Sequence, residues 1–307
     1  MGIVVIGSLN MDMVVRTKRA PGAGETLFGE SFALSPGGKG ANQAVAAARL
    51  GGRVSMIGSV GRDAFGNELL DIMKQERIDI EHIAQSASQA TGVASIVVDG
   101  DGENRIIVVP GANIELGIED IRALEDVIRS ADIMVMQLET DLPMCEEAAA
   151  IAHRHGIPVI LNPAPARELS DAMLSHVTYL TPNESETGVL TGVEVNSVEA
   201  AEQAAQILLQ RGVQHVIITL GSKGALIVNT SGSSHVPGFP VQAVDTVAAG
   251  DSFNGALAYQ LTQGRTLQEA VRFANAVGAL AVGKQGAIPS LPALHEVESF
   301  LKDHGGR

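Results

Sequence analysis

A single aspartate follows a run of small residues at the start of an Ala- and Leu-rich helical pattern. Asp251 comes directly after Ala248, Ala249 and Gly250. Backbone N–H groups at a helix start attract negative charge, so this run could hold a phosphoryl group during its transfer. The Asp251 carboxylate could take the proton of an attacking hydroxyl. Considered alone, Asp251 is better explained as a helix cap, because Asp is common in that role.

A glycine-rich stretch with two polar side chains precedes a second helical pattern. Gly37 and Gly38 allow the backbone to approach a ligand closely, and Lys39 and Asn42 supply a cation, amide donors and an acceptor. A plain turn followed by a helix start explains the glycines equally well. The added Lys39 and Asn42 favour a site for a polyol or a phosphate.

Two further polar clusters follow predicted strands. Asn183 and Glu186 have the spacing of one helix face, and their oxygens could hold Mg²⁺ through water. An ordinary helix start capped by Asn183 is the alternative. Residues 219–224 lie at a strand end, where open α/β sheets bind ligands, and a β-turn that needs glycine is the alternative there.

The elements that must position these clusters alternate between strands and helices. Short apolar runs typical of buried strands occupy residues 3–6, 54–57, 133–138, 159–161, 177–180 and 216–220. Helical spacing occupies residues 41–50, 65–76, 118–129, 143–155 and 197–211, and further helices begin near Gly250 and Thr266. This alternation predicts βαβ units and an open sheet that is covered by helices on both faces.

Two pairs of strand-like segments have no helix beside them. Residues 11–16 pair with 26–34 across a turn rich in Pro and Gly, and residues 91–98 pair with 104–109 across Asp99-Gly-Asp-Gly. They predict a small antiparallel sheet that projects from the main domain. One face of such a sheet needs cover, so it would act as a lid, a dimer contact or both.

The composition restricts the classes of partner and compartment. With 35 acidic residues against 21 Lys plus Arg, the net charge of −14 argues against nucleic acid and anionic membranes. Aromatic residues make up only 3%, so a surface that stacks nucleic-acid bases has little to work with. No apolar run approaches the ~20 residues of a membrane span. Cys145 is the only cysteine, which excludes an intrachain disulfide and fits a reducing cytoplasm.

The order of these motifs along the chain is similar to that of the ribokinase (PfkB-type) family of sugar kinases. Residues 37–48 and 245–255 carry most of the resemblance, and shorter matches lie at residues 8–12, 137–139, 161–167, 181–184 and 219–222. The resemblance implies one three-layer α/β/α domain over residues 1–307, with a mostly parallel central sheet. It also implies a small β-sheet lid, from about residues 11–35 and 91–112, that makes a homodimer.

The resemblance further implies phosphorylation of D-ribose at its 5-hydroxyl by ATP, giving D-ribose 5-phosphate and ADP. Asp251 would take the proton, and the N–H groups of Ala248, Ala249 and Gly250 would form the anion hole. The sugar would be held by Asn10, Asp12, Gly38, Lys39, Asn42, Glu139 and Asp251. ATP with Mg²⁺ would contact Asn183, Glu186, Thr219, Gly221, Ser222, Gly224, Gly250 and Asn275. An activating K⁺ would be bound by Asp245, Val247, Ala281, Lys284, Gly286 and Ser290.

Alternatives to this activity stay open. A kinase for 2-deoxyribose or another small sugar could differ at few pocket positions. A non-catalytic sugar sensor would lack the base or the small-residue run, and this chain has both. The scarcity of aromatic residues disfavours the family's nucleoside kinases, which must stack a base.

Overall fold

The computed structural model of the chain describes residues 2–101 and 104–304. The strands are β1 (Ile3–Ile6), β2 (Asn10–Arg16), β3 (Ser31–Gly37), β4 (Val54–Gly61), β5 (Ile83–Ser86), β6 (Gly92–Val98), β7 (Asn104–Val109), β8 (Ile133–Met136), β9 (Val159–Leu161), β10 (Tyr179–Leu180), β11 (His215–Thr219), β12 (Gly224–Asn229) and β13 (Gly232–Pro237). The α-helices are α1 (Lys39–Arg49), α2 (Ala64–Gln75), α3 (Ile118–Ala123), α4 (Glu125–Arg129), α5 (Leu142–Arg154), α6 (Asp171–Ser175), α7 (Glu184–Thr191), α8 (Val198–Gln210), α9 (Ala249–Thr262), α10 (Leu267–Ala281) and α11 (Leu294–His304). Within these ranges, none of the helices has the length and hydropathy to cross a membrane.

The large sheet has the strand order β13-β12-β11-β10-β9-β8-β1-β4-β5. Neighbouring strands from β11 to β5 are parallel, and β12 and β13 extend the sheet in antiparallel fashion. The predicted mostly parallel sheet is therefore confirmed. Strands β5, β12 and β13 were not predicted, and the last two give the sheet its antiparallel end.

Both faces of the large sheet are buried under helices. Along β1, Ile3 and Val5 join the core that includes α1, α2, α9, α10 and α11, whereas Val4 and Ile6 join the core on the opposite face, which includes α3 to α8. Successive side chains of a strand point to opposite faces, so an all-apolar strand is what a doubly covered sheet requires. The three-layer α/β/α architecture follows from this pattern.

A second, four-stranded sheet has the order β3-β2-β6-β7. β2 is antiparallel to β3 and parallel to β6, and β6 is antiparallel to β7. The predicted small sheet is confirmed, although it is not wholly antiparallel. In the predicted turn between β6 and β7, Gly102 lies outside the described residues.

Several predicted segments have different bounds in the structure, and three of them differ in register, continuity or length. The strand expected at residues 26–34 is Ser31–Gly37, because the register of β2 pairs Asn10 with Gly37. The helix expected at residues 118–129 is interrupted at Leu124, whose φ of −100° and ψ of 14° depart from helical values, so it forms α3 and α4. The strand expected at residues 177–180 is limited to Tyr179–Leu180.

One buried amide joins two of the connections between the small sheet and the large domain. Asn113 accepts a hydrogen bond from the Leu9 N–H at 2.9 Å, and its Nδ2 donates to the Leu9 carbonyl at 3.2 Å and to Asn10 Oδ1 at 2.7 Å. These bonds hold the start of β2 against the segment that follows β7. The small sheet therefore leaves the large domain at a defined position.

Helices α1 and α9 lie in close contact on one face of the large sheet. Gly255 of α9 allows this, since a Cβ built there would lie 2.6 Å from both the Ala46 Cβ and the Gln43 carbonyl oxygen of α1. The first turns of both helices consequently reach the carboxyl edge of the sheet side by side.

We expect Gly255→Ala to force α1 and α9 apart and to lower the free energy of unfolding by about 2 kcal/mol, because an added methyl group has no space there. Urea denaturation followed by circular dichroism measures the change. Gly278→Ala in α10 is the matched control, since its Cβ would lie 3.7 Å from the nearest atom. Equal stability of the two variants would show that the contact between α1 and α9 is not tight.

Candidate active site

Two cavities adjoin at the carboxyl edge of the large sheet. The small cavity, of about 190 Å³, has polar side chains in its wall, including Lys39, Asn162 and Asp251. The large cavity, of about 660 Å³, has a more apolar wall that includes Phe239 and Phe253. The residues that line both are Asn183, Thr219, Thr246, Ala249 and Gly250. A ligand that spans both cavities would therefore pass over the start of α9.

Asp251 lies inside the first turn of α9 and does not cap it. The helix begins at Ala249, and the capping position is Ala248. The Asp251 carboxylate accepts a hydrogen bond on each oxygen, from Asn42 Nδ2 at 2.9 Å and from Gln43 Nε2 at 3.0 Å. The capping interpretation of Asp251 is therefore wrong, and its carboxylate is held at the wall of the small cavity.

The backbone before Asp251 turns sharply into the helix. Ala248 has a φ of 59°, a left-handed conformation that is uncommon for a residue with a side chain. The Ala249 N–H donates to the Thr246 carbonyl at 3.3 Å. A Cβ built on Gly250 would meet no atom within 4 Å, so this residue faces open space where the cavities join. N–H groups in a first helical turn have no intrahelical acceptor and can bind an anion here.

The glycine-rich stretch packs against the chain that follows β1. Gly38 has a φ of 91°, and a Cβ there would lie 2.7 Å from the Asn10 N atom. Only glycine fits at position 38. Because it has no side chain, the start of α1 can lie next to β2. This close approach brings four of the predicted sugar residues to one region: Asn10, Asp12, Lys39 and Asn42.

The two asparagines of this region present opposite hydrogen-bonding groups. Asn10 Oδ1 accepts from Asn113, which leaves the Asn10 Nδ2 as a donor. Asn42 Nδ2 donates to Asp251, and its Oδ1 is buried without a hydrogen-bond partner among the described residues. A polyhydroxylated ligand supplies both the acceptor and the donor that these groups need.

One lysine is surrounded by carboxylates. The charge of Asp251 raises the pKa of Lys39 above its usual value, with further contributions from Glu139, Glu186 and Asp12, while burial opposes the shift. Glu139 Oε2 accepts from the Ser8 hydroxyl at 2.5 Å and from the Lys39 backbone N–H at 3.2 Å. Lys39 therefore stays protonated and is the cation of the small cavity.

Asn183 and Glu186 form a reciprocal cap at the start of α7. Asn183 Oδ1 accepts from the Glu186 N–H at 2.8 Å, and Glu186 Oε2 accepts from the Asn183 N–H at 2.9 Å. The capping interpretation of Asn183 is thus correct. Burial raises the pKa of Glu186, and the charge of Lys39 opposes that shift. Both residues still line the small cavity, with one Glu186 oxygen outside the cap.

Most of the residues predicted for the nucleotide line the large cavity. Seven of the eight do so, namely Asn183, Thr219, Gly221, Ser222, Gly224, Gly250 and Asn275, whereas Glu186 lines only the small cavity. Asn275 Nδ2 donates to the carbonyls of Val236 and Pro237, at 3.1 Å each. It therefore fixes the end of β13 and, through it, the wall at Phe239.

The six residues predicted for potassium lie around the loops before α9 and after α10. Asp245 joins these loops, since Oδ1 accepts from the Val247 N–H at 3.0 Å and Oδ2 accepts from the Gly286 N–H at 2.9 Å. The Ala281 carbonyl accepts from the Lys284 N–H at 3.1 Å. The Lys284 ammonium is bound to Glu296 at 2.7 Å and does not compete for the same oxygens.

Comparison with known proteins identifies the family. The profile described as pfkB family carbohydrate kinase matches residues 2–294. The chain belongs to this family. It is 43% identical to the ribokinase of Haemophilus influenzae over 300 residues, with 98% of each chain covered. It is 38% identical to the deoxyribokinase of Salmonella typhi over 303 residues, with 98% of this chain and 99% of that one covered. The structure of Arabidopsis thaliana ribokinase complexed with ribose and ATP is similar, with a TM-score of 0.92, 32% identity and 98% of both chains covered.

Three buried amide side chains at the site of this carbohydrate kinase were not predicted from the sequence: Gln43, Gln137 and Asn162. Gln43 donates to Asp251, and its Nε2 also donates to Asn162 Oδ1 at 3.2 Å. Gln137 donates to Gln43 Oε1 at 2.7 Å. All three residues lie in the sequence stretches that resemble the family, but a stretch of sequence does not reveal which distant side chain an amide meets.

The ionisation of Asp12 makes the stability of the folded chain depend on pH. Burial raises the pKa of Asp12 to about 7, helped by the charges of Glu139 and Asp251 and opposed by that of Lys39. The folded chain therefore holds this proton more tightly than the unfolded chain. The free energy of unfolding should fall as pH rises from the ordinary range of Asp to about 7.

Asp12→Asn should remove this loss of stability. We expect it to stabilise the chain by about 4 kcal/mol near pH 8 and to change its stability little near pH 4. Chemical denaturation at a series of pH values measures the difference. Asp101→Asn, at an exposed position in the turn after β6, is the matched control. A stability difference that is the same at every pH would contradict the raised pKa of Asp12.

Proposed function

We propose that the protein transfers the γ-phosphoryl group of ATP to the 5-hydroxyl of D-ribose, giving D-ribose 5-phosphate and ADP. The observation that carries this proposal is the position of Asp251, whose carboxylate faces the small cavity beside the wall that it shares with the large one. Lys39 and Asp251 are the two predicted sugar residues that line the small cavity, so a sugar held beside them would meet a nucleotide from the large cavity at Gly250. The ribokinase relatives at 43% identity support ribose as the sugar.

The proposed mechanism assigns one step to each part of the site. The Asn10 amide and the Asn42 Oδ1 hold sugar hydroxyls, together with Asp12, Gly38 and Glu139, and so orient the 5-hydroxyl toward Asp251. Asp251 takes the hydroxyl proton as the oxygen attacks the phosphorus. The N–H groups of Ala248 and Gly250, with the Lys39 ammonium, stabilise the charge that develops on the phosphoryl oxygens. The Ala249 N–H joins them when it exchanges its hydrogen bond to the Thr246 carbonyl for a phosphoryl oxygen.

The residues present fit a magnesium ion at the nucleotide. Glu186 supplies a carboxylate oxygen outside its cap, and Mg²⁺ prefers oxygen ligands and retains water. Bound with ATP, the ion would neutralise phosphate charge that a chain with a net charge of −14 otherwise repels. Asn183 would contact the phosphates through Nδ2, because its Oδ1 is used in the cap.

The residues around Asp245 fit a potassium ion. The set offers one carboxylate, the Ser290 hydroxyl and backbone carbonyls of Val247, Ala281, Lys284 and Gly286, which suit a large, weakly hydrated cation. Asp245 already ties the loop before α9 to Gly286, so a cation there would stiffen the backbone that forms the anion hole. Potassium would therefore raise kcat through the start of α9.

A kinase for 2-deoxyribose is the second candidate. Its support is the 38% identity to the deoxyribokinase of Salmonella typhi over nearly the full chain. A loss of catalysis, as in a sugar sensor, is disfavoured because Asp251 and the small-residue run are in place.

A substrate panel tests the function. We expect ADP release with ribose to have a higher kcat/KM than with 2-deoxyribose or fructose, and to increase when potassium is added. Asp251→Asn should lower kcat by roughly 10²- to 10⁴-fold while leaving ribose binding, measured by calorimetry, nearly unchanged. A preference for 2-deoxyribose would move the assignment to the second candidate. Near-normal turnover by Asp251→Asn would contradict the role of the base.

The small sheet is also proposed to act as a lid over the sugar and as the surface of a homodimer. Phe32, Leu34 and Ile107 are 60%, 43% and 69% exposed, and the strand register places them on the face opposite Asp12. An exposed apolar sheet face of this kind is typical of an association surface.

Light scattering should give a mass of twice the 31.9 kDa of one chain. Ile107→Glu should shift the mass to that of one chain, because a buried, unpaired charge opposes association. Val189→Glu, at a similarly exposed apolar position on α7, is the control and should leave the dimer intact. A monomeric unmodified protein would refute the dimer.

A further inference from the structure

A chain of buried amides leads from the sheet to Asp251. Gln137 Nε2 donates to Gln43 Oε1 at 2.7 Å, and Gln43 Nε2 donates to Asp251 Oδ1 at 3.0 Å and to Asn162 Oδ1 at 3.2 Å. Gln43 and Gln137 are completely buried. Both hydrogens of the Gln43 amide group are thus used, and its oxygen is used as well.

The charge of Asp251 dictates the direction of every bond in this chain. An ionised carboxylate can only accept, so Gln43 must present its NH₂ group to Asp251 and its oxygen to Gln137. Gln137 must then present its own NH₂ group to Gln43. If either amide were rotated, two oxygens would face each other.

This direction leaves one atom of Gln137 unsatisfied. Gln137 Oε1 is buried without a hydrogen-bond partner among the described residues. It lies against Gly7, where a Cβ would approach it to 2.0 Å. A buried acceptor without a partner destabilises the fold. An apolar side chain at position 137 would remove this acceptor but would leave the Gln43 oxygen without its donor instead. The number of unpaired buried oxygens is the same with either side chain, so what glutamine adds at this position is a fixed orientation of the Gln43 amide.

We propose that Gln43 and Gln137 are positioning residues, which fix the plane of the Asp251 carboxylate so that it meets the attacking hydroxyl. The proposal rests on the proposed function. Asn42 bonds one carboxylate oxygen and Gln43 the other, so together they prevent rotation of the group. Gln137 acts one step away, because it prevents rotation of the Gln43 amide.

A double-mutant cycle tests the arrangement. We expect Gln43→Met to lower kcat by about 10- to 100-fold, the effect of losing one hydrogen bond to a charged group, and Gln137→Met by about 3- to 10-fold. The double variant should be no slower than Gln43→Met, because Gln137 acts only through Gln43. The KM for ribose should change less than twofold, since neither residue is assigned to the sugar.

The second measurement is stability, which separates positioning from a general structural role. Gln137→Met should change stability little, because it removes the unpaired Gln137 oxygen but leaves the Gln43 oxygen without its donor. Cys145→Ala is the matched control: its buried thiol donates to the Gln137 carbonyl at 3.6 Å, and it should lose stability while kcat stays unchanged.

The outcomes distinguish this inference from the proposed function. Normal kcat in Gln43→Met and Gln137→Met, with an active unmodified protein, would overturn the positioning role alone. Additive losses in the double variant, or a parallel loss of stability and kcat in Gln137→Met, would also overturn it. An unmodified protein that phosphorylates none of the sugars would overturn the proposed function, and the positioning role with it.

Discussion

Hydrogen bonds between the first turns of α1 and α9 hold Asp251 in the wall of the small cavity, next to the residues that line both cavities. Asn42 and Gln43 of α1 donate to the carboxylate of α9, and Gly255 allows the two helices to approach closely enough for these bonds to form. Glycine at position 38 then brings the same end of α1 next to β2. The base, the cation Lys39 and the small sheet are therefore positioned by one helix pair.

A protein with a large net negative charge repels a polyanion such as ATP. It can bind one only at a site where backbone N–H groups and a few cations supply local positive charge. The chain has a net charge of −14, and Lys39 stands among four carboxylates. Those carboxylates keep the lysine protonated, and the start of α9 adds N–H groups that carry no compensating negative charge. Attraction of the phosphates is thus confined to the wall between the cavities, and the carboxylates remain to accept sugar hydroxyls.

The sequence allowed the parallel sheet to be predicted, because strands buried on both faces are apolar throughout and are separated by helical spacing. β12 and β13 could not be distinguished in this way, since the direction of an added strand depends on its turn and not on its composition. The site was only partly predictable. The partners of Asp251 lie 208 and 209 residues earlier in the chain, so the choice between base and cap depended on contacts that local spacing does not encode. Asn183 shows the reverse case, where local spacing alone indicated its cap.

The site concentrates features that oppose folding. Ala248 adopts a left-handed backbone conformation, Asp12 resists ionisation, and the oxygens of Asn42 and Gln137 are buried without partners among the described residues. The first three features are better explained by the groups that they offer to a ligand or to the base than by packing. The unpaired Gln137 oxygen results from the orientation of its amide. The doubly covered sheet supplies enough buried apolar surface to offset these costs. These destabilising features lie within one region. Substitutions that remove them should therefore raise stability while they lower turnover, whereas in a purely structural cluster the two would change together.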